Sequence, residues 1–245
     1  MLSYTGINCL ERLYFDVREV CAMHPYFKPL TPKLAAAANA NDAILAKMYM
    51  KDRFEFFGTR APARNALFKE FWAEHGLPGF EDLDLLVTEL FAMPEREYHY
   101  FAIEIVAKFK KQYTPETLAL IEKIAVTNSW WDSVDYINSV CLRPYFKKYP
   151  ENRVEITQRW IDSGNMWLQR LSVICQLDLR DKTDIALLFR NILQLNTSKE
   201  FFIQKAIGWA LRELGKTYPE TVVEFVGEND LKPLSRREAL KHLRA

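Results

Sequence analysis

A chain of 245 residues with 33 Lys and Arg against 32 Asp and Glu has almost no net charge. That excludes a uniformly basic nucleic-acid coat, although such an average can hide a basic face. Glycine is scarce and no apolar run is long enough to cross a bilayer, which excludes a membrane-spanning chain and points to a soluble, helical one. The four cysteines, Cys9, Cys21, Cys141 and Cys175, show no CxxC pairing and read as reduced thiols of a cytoplasmic protein, with Cys141 and Cys175 in cores. His24, His75, His99 and His242 are scattered, with no HExxH and no cysteine at zinc spacing, so no metal site is expected. Glycine-rich phosphate loops and a GxSxG elbow are also missing, which argues against nucleotide-dependent and serine-hydrolase chemistry.

Residues 1–22 lack a basic start followed by an uninterrupted apolar core, so they do not read as a signal peptide. Tyr14, Phe15, Val17 and Val20 are spaced for a short apolar helix face. The body of the protein is expected to begin at Met23, a candidate alternative start. Residues 1–22 are then an amino-terminal extension and 23–245 a single domain. From Thr31 the pattern is alternating helices. Ile44, Leu45, Met48, Tyr49 and Phe56 recur at helical spacing and predict a helix over 42–56, closed by Gly58. Pro62 opens the next, through Leu67, Phe68, Phe71 and Trp72 to Gly76. A helix over 80–91 follows, and Pro94-Glu95-Arg96-Glu97 starts a long one through Ile103, Val106 and Phe109.

A repeat then becomes visible. Tyr113-Thr114-Pro115-Glu116, Tyr149-Pro150-Glu151 and Tyr218-Pro219-Glu220 are one helix-start device, proline in the first turn with an acidic residue behind it. Pro115 and Pro150 are 35 residues apart and Pro219 follows after about twice that, so a missing member falls near Thr183-Asp184, which supplies a cap. A second set of starts, Asn128, Asn165, Ser198 and Ser235, interleaves with the first. Two helices per unit of this length predict an all-α fold, an α-α superhelix of helical repeats. About six helix pairs form a curved solenoid, and the second helix of each pair lines a concave face suited to an extended partner.

Chemistry concentrates at those second-helix starts. In Asn128-Ser129-Trp130-Trp131-Asp132-Ser133-Val134-Asp135, Ser129 is expected to cap the helix, with Asp132 three residues on in a capping-box-like pair near the positive end of the helix dipole. Trp131 and Asp135 lie four apart, which puts an aromatic face and a carboxylate side by side, one turn in from the amino end. Such a pair suits a cation or a developing cation; the alternative is a surface aspartate beside a core tryptophan. Trp130 and Trp167 each lie two residues after an Asn start and read as packing residues in a shared register. Arg170, three residues after Trp167, is a fixed cation suited to clamping a phosphate. Lys205, Trp209 and Arg212 fall on one helix face, and Gly208 lets something approach that helix closely. Arg236 and Arg237 bring basic side chains to the helix start at Ser235, an expected anion site. Taken singly, Trp209 reads as core, Arg212 as a helix ion pair and Lys205 as a solvated charge; their alignment on one face favours the functional reading.

SWWDSVD, NMWLQR, SKEFFIQKAIGWALRE and PLSRREALKH, in this order and spacing, resemble the AlkD family of HEAT-like-repeat alkylpurine DNA glycosylases, from about Met23 to the end of the chain. By position, the resemblance implies that Trp131 and Asp135 are the catalytic pair, Arg170 the active-site arginine, Trp209 the second active-site tryptophan and Tyr49 the aromatic that completes the lesion pocket. It also implies that Arg212 belongs to the DNA-binding face. The segment before Met23 departs from the family and touches none of these positions.

The implied reaction is hydrolysis of the N-glycosidic bond of a purine alkylated at N3 or N7. Such a base is already cationic and leaves easily, so the protein has mainly to stabilise an oxocarbenium-like sugar and admit water. Asp135 suits both tasks, Trp131 and Trp209 present electron-rich faces to the sugar, and Arg170 fixes the register on a phosphate. The family is understood to leave the lesion stacked, and the sequence shows no motif for reading a flipped base. Expected, then, are duplex DNA with alkylated purines as partner, Asp135, Trp131 and Trp209 as catalytic residues, and Tyr49, Arg170, Lys205, Arg212, Arg236 and Arg237 as DNA-binding ones. No cofactor, metal or membrane is expected, and a cytoplasmic monomer suffices. Two other readings are a family relative that binds damaged or branched DNA without excising bases and a helical scaffold for a protein partner.

Overall fold

Proline in a first turn, a polar cap ahead of it and apolar residues at helical spacing recur along the chain, and the regular structure they produce is helical. The computed structural model describes residues 24–243. The expectations for residues 1–22, for Met23 as a start and for Cys9 and Cys21 lie outside the described residues. One isolated bridge, Glu55 with Glu95, is the only β-type pairing among those described. No helix among them is long and apolar enough to cross a membrane. Two compact units divide between Ala102 and Ile103.

The first unit contains α1 (Leu30–Ala36), α2 (Ala40–Tyr49), α3 (Ala61–His75), α4 (Leu83–Ala92) and the start of α5 (Arg96–Lys108). Phe68 and Phe71 of α3 meet the ring of Phe101 edge-on at 4.9 and 5.2 Å, and Leu86 and Leu90 of α4 are fully buried in the unit's core. Edge-to-face rings of this kind add to the area they bury. α3 runs from Ala61, with Pro62 in its first turn, to a stop at Gly76, whose φ is +70°. α2 departs from expectation. It ends at Tyr49, not Phe56, because Lys51 and Asp52 both take left-handed backbone angles, which no helix continues through. Gly58 does not close it; a Cβ there would stand 2.2 Å from the Asn39 carbonyl oxygen, so glycine is needed for the 57–59 loop to lie against the start of α2. The buried Glu97 carboxylate accepts the backbone N–H groups of Phe57, Gly58 and Thr59 and fixes that loop. Burial nevertheless pushes its carboxyl upward. Ile44, Leu45, Met48 and Tyr49, which recur at helical spacing, are 59–67 % exposed.

The second unit continues as α6 (Thr117–Val126), α7 (Trp131–Ile137), a π-helical turn (Asn138–Leu142), α8 (Arg143–Lys148), α9 (Arg153–Asp162), α10 (Met166–Ile174), α11 (Ile185–Leu195), α12 (Phe201–Gly215), α13 (Pro219–Glu228) and α14 (Pro233–Ala239). Hydrogen bonds show the repeat directly: Arg170 to Asp135 and Lys148 to Tyr113 each span 35 residues, Asn138 to Ile174 and Gln158 to Gln194 span 36, and Asn196 to Asp230 spans 34. Second helices pack in succession, α7 on α10, α10 on α12 and α12 on α14. The cap near position 184 is present, Asp184 accepting the Leu187 N–H at 2.9 Å, and Pro219 stands in the first turn of α13. Cys141 and Cys175 are buried, and burial pushes both thiols up to about 12, which leaves them poor nucleophiles at neutral pH.

Candidate functional site

The stretch from Asn128 reverses the chain between α6 and α7. Asn128 takes φ +47°, and Ser129 donates its hydroxyl to the Ala125 carbonyl at 2.7 Å. Ser129 therefore finishes α6 and does not cap α7 as expected. The N-cap is Trp130, whose backbone N–H and carbonyl are both bonded to the Ser133 hydroxyl, at 3.4 and 3.1 Å. Asp132 does lie in the first turn, where a carboxylate opposes the dipole. Trp131 opens α7, and Asp135 shares its face one turn on. Trp130 packs on Trp167 at 5.9 Å and Phe202 at 5.0 Å, so the packing register read for Trp130 and Trp167 extends to a third repeat.

Asn165 sets the next piece in place. Its side chain accepts the N–H groups of Trp167 and Leu168, fixing the start of α10. One turn on, Arg170 Nε and Nη2 donate to Asp135 Oδ1 and Oδ2, both at 2.8 Å, and Nη1 donates to the Phe202 carbonyl at 2.7 Å. The Arg170 side chain is 5 % exposed and that of Asp135 is 20 %. Arg170, read as a free phosphate clamp, is thus committed to a planar two-point grip on the carboxylate, which arginine's rigid fork makes and lysine's single nitrogen does not. Its guanidinium also lies 6.0 Å from the centre of the Trp209 ring, at the outer reach of a cation–π contact. Asp135, Arg170 and Trp209 therefore form one cluster, with Trp131 on the Asp135 face of α7. Each carboxylate oxygen uses one of its lone pairs on Arg170, which leaves the partly exposed Asp135 able to accept from water as well.

Lys205 and Arg212 flank Trp209 on α12, but they are not free cations. Glu238 of α14 bridges them, Oε1 to Lys205 at 3.1 Å and Oε2 to Arg212 at 2.7 Å. Lys205, then Arg212, holds the Glu238 carboxyl below the usual carboxylate range. The close approach foreseen at Gly208 is made by α14 itself: a Cβ there would stand 2.4 Å from Glu238 Cβ and 2.9 Å from the Ser235 carbonyl oxygen. The expected helix start at Ser235 is also corrected. α14 begins at Pro233, and Ser235 is buried with its hydroxyl donated to the Gln204 carbonyl at 3.0 Å. Arg236 turns back to the Val226 carbonyl at 2.8 Å, while Arg237 remains exposed. The start expected at Ser235 therefore lies two residues earlier, with Arg236 already bonded to a carbonyl and Arg237 open to solvent.

Tyr49 belongs to the first unit. It is the last residue of α2, 67 % exposed, beside a small cleft that Ala46, Arg60 and Tyr100 also line. Sequence reasoning missed the two groups that organise the cluster in the second unit, the Phe202 carbonyl and Glu238. The first left no side-chain signal; the second stood in the sequence only as one acid beside Arg236, Arg237 and Lys241.

A family model described as DNA alkylation repair enzyme matches residues 30–243. Among solved structures, the chain is similar to a protein from Enterococcus faecalis described as a predicted DNA alkylation repair enzyme, at 34% identity and a TM-score of 0.78, over 84% of this chain and 96% of that one. It is also similar to AlkD2 from Streptococcus mutans, at 16% identity and a TM-score of 0.58, over 73% of this chain and 89% of that one, a likeness of fold alone. No curated protein sequence matches.

Proposed function

Because the chain belongs to the DNA alkylation repair enzyme family, we propose that it is a DNA glycosylase hydrolysing the N-glycosidic bond of N3- and N7-alkylated purines in duplex DNA. The observation that carries this reading is the Asp135 carboxylate, partly open to water and gripped at two points by an Arg170 guanidinium that lies 6.0 Å from the Trp209 ring, with Trp131 one turn before Asp135 on α7.

Alkylation at N3 or N7 makes the purine cationic, so its bond to the sugar breaks with little help to the leaving group. What the site supplies is complementarity to the other product of that cleavage, a sugar with positive charge on C1′ and the ring oxygen. The carboxylate of Asp135 opposes that charge. The same group orients a water and accepts its proton as the new C1′–O bond forms, giving free base and an abasic sugar. Arg170 positions the carboxylate and keeps it from rotating, so little reorganisation is needed as charge develops. Trp131 and Trp209 offer π faces to the cationic sugar, worth about 0.5–2 kcal/mol each. Tyr49, Lys205, Arg212, Arg236 and Arg237 are the DNA contacts of this reading, with Lys205 and Arg212 released from Glu238 when phosphate arrives.

The test is release of free base from duplex DNA carrying N7-methylguanine under single-turnover conditions, comparing the protein with Asp135→Asn. Release from the first and a rate near the spontaneous one from the second is expected, with DNA affinity retained. No release from either, with salt-sensitive DNA binding intact, would replace the glycosylase by a non-catalytic binder of damaged DNA.

A further inference from the structure

The helical run over 131–148 carries Asp135 near its amino end and opens at its other end onto a groove of about 1020 Å³. Ser139 and Arg143 of that run line it, together with Lys110, Lys147 and, from the loop after α10, Arg180 and Lys182. Two acids, Asp178 and Asp181, border it as well, and Asp178 is already bonded to Arg143. Lys110, Lys147, Arg180 and Lys182 are all exposed and form no ion pair among the described residues. An unbalanced cluster of cations around a concave surface focuses positive potential there.

The loop that supplies Arg180 and Lys182 is held in a costly shape. Asp178 and Arg180 take φ of +64° and +53°, which side-chain-bearing residues rarely adopt unless their surroundings impose it. Those surroundings are visible. Buried Gln176 donates to the Asp184 carbonyl at 3.0 Å and accepts its N–H at 2.8 Å, closing the loop at its base. Arg143 pins the near side through the Leu177 carbonyl and the Asp178 carboxylate. The backbone that carries these cations is therefore fixed before any ligand arrives.

We propose that this groove is a second nucleic-acid contact, binding the phosphates of duplex DNA a few nucleotides from the one held at Asp135; that register rests on the glycosylase reading. Asp135 and Arg143 are eight residues apart on one helical run, about 12 Å at 1.5 Å per residue. Each strand carries one phosphate per ~3.4 Å of duplex axis, so a duplex lying along this run would bring phosphates to the groove within about four nucleotides of the one at Asp135. Phosphate is the fitting ligand because the groove offers several separated cations and a hydroxyl but no enclosed pocket for a single small anion.

The experiment is fluorescence-anisotropy binding of an undamaged duplex across a salt series, with single-turnover base release from an N7-methylguanine duplex in parallel. The variants are Lys147→Ala, Arg180→Ala and Lys182→Ala, singly and combined, with exposed Lys69→Ala of the first unit as the scale for loss of charge alone. Each lost phosphate contact lowers the slope of log affinity against log salt by about 0.9, so the triple variant should lose about 2–3. Its base-release rate at saturating protein should be unchanged. A triple variant whose slope matches the unsubstituted protein, or moves no more per charge than Lys69→Ala, overturns the proposal. A reduced slope in a protein that releases no base leaves the groove standing and removes the glycosylase; base release with an unaltered slope does the reverse.

Discussion

Replacing Arg170 with lysine keeps the charge and removes the fork, which separates positioning of the carboxylate from gripping of DNA. Arg170 makes three hydrogen bonds of 2.7–2.8 Å, two to Asp135 and one to the Phe202 carbonyl. One ammonium nitrogen cannot span both carboxylate oxygens and that carbonyl, so at least one charge-assisted bond is lost, about 1.5–3 kcal/mol. Where that loss is felt in the transition state, base release slows about 10- to 150-fold at 1.36 kcal/mol per decade. The assay is a double-mutant cycle with Asp135→Asn, read in base release and in urea unfolding. If Arg170 acts through Asp135, its replacement costs about 1.5–3 kcal/mol of stability in the unsubstituted protein and under about 1 in the Asp135→Asn background, a coupling of the size expected for residues in contact. DNA affinity should be unchanged by Arg170→Lys. The reasoning is refuted if the two substitutions add and if Arg170→Ala lowers the salt slope of duplex binding by about 0.9, the mark of a direct phosphate contact.

Glu238→Gln keeps the shape that bridges Lys205 and Arg212 and removes the competing charge, so duplex affinity at low salt should rise and the salt slope steepen by about 0.9 for each cation freed; an unchanged slope would mean that these cations never meet phosphate. The same variant reads the pH dependence. Lys205 and Arg212 depress the Glu238 carboxyl, so its contribution to stability is complete above the unfolded value of about 4.3 and is lost as pH falls through the lower folded value. In scanning calorimetry the native protein should therefore melt above Glu238→Gln near neutral pH, and the difference should shrink as pH falls below the unfolded value of about 4.3. Gly208→Ala should lower the urea midpoint, because pushing α14 away costs about 1–3 kcal/mol against the roughly 1 kcal/mol that alanine adds in a helix; a raised midpoint would show that α14 yields freely.

Much of the repeat was legible because its punctuation is local chemistry. Asn165 and Asp184 cap helices by bonding to N–H groups two or three residues away, and Pro219 stands in a first turn, so each signal is complete within one short stretch. Trp131 and Asp135 were legible as a pair for the same reason, since helix geometry alone sets their common face. What failed was anything decided across repeats. The charge of Arg170 is evident in the sequence, but its direction depends on a carboxylate 35 residues earlier and a carbonyl 32 residues later. Lys205 and Arg212 share the expected face, yet their partner comes from another helix that Gly208 lets in. In α2, helical spacing of Ile44, Leu45, Met48 and Tyr49 is the same whether that face is buried or exposed, and neither Lys51 nor Asp52 announces a left-handed turn as glycine would. Lys147 and Lys182 of the basic groove stand one repeat apart, 182 minus 147 being 35, a register that becomes informative only when cations are mapped by repeat and not by helix face.

The run over 131–148 shows how a local defect can serve the site. Pro144 has no N–H to give to Val140, and its ring crowds that carbonyl, so a regular α-helix cannot pass through it unaltered. The chain answers with the π-helical turn over Asn138–Leu142, in which the Arg143 N–H reaches back five residues to the Asn138 carbonyl. Asn138 then spends its side-chain N–H on the Ile174 carbonyl of α10, at 3.0 Å, so the wide turn is anchored to the neighbouring repeat. Asp135 with Arg170 lies on one side of that anchor, and Arg143 with Leu177 on the other. Three cross-links, each close to one repeat in span, thus tie the same two segments together above, at and below the turn. A carboxylate near the end of a freely curving helix would wander by more than a hydrogen bond tolerates. Here the irregular turn is where the helix is fastened, so Asp135 and the basic groove are held at a set separation along one element. A fixed separation of this kind is what the glycosylase reading asks of a carboxylate for the sugar and cations for its flanking phosphates.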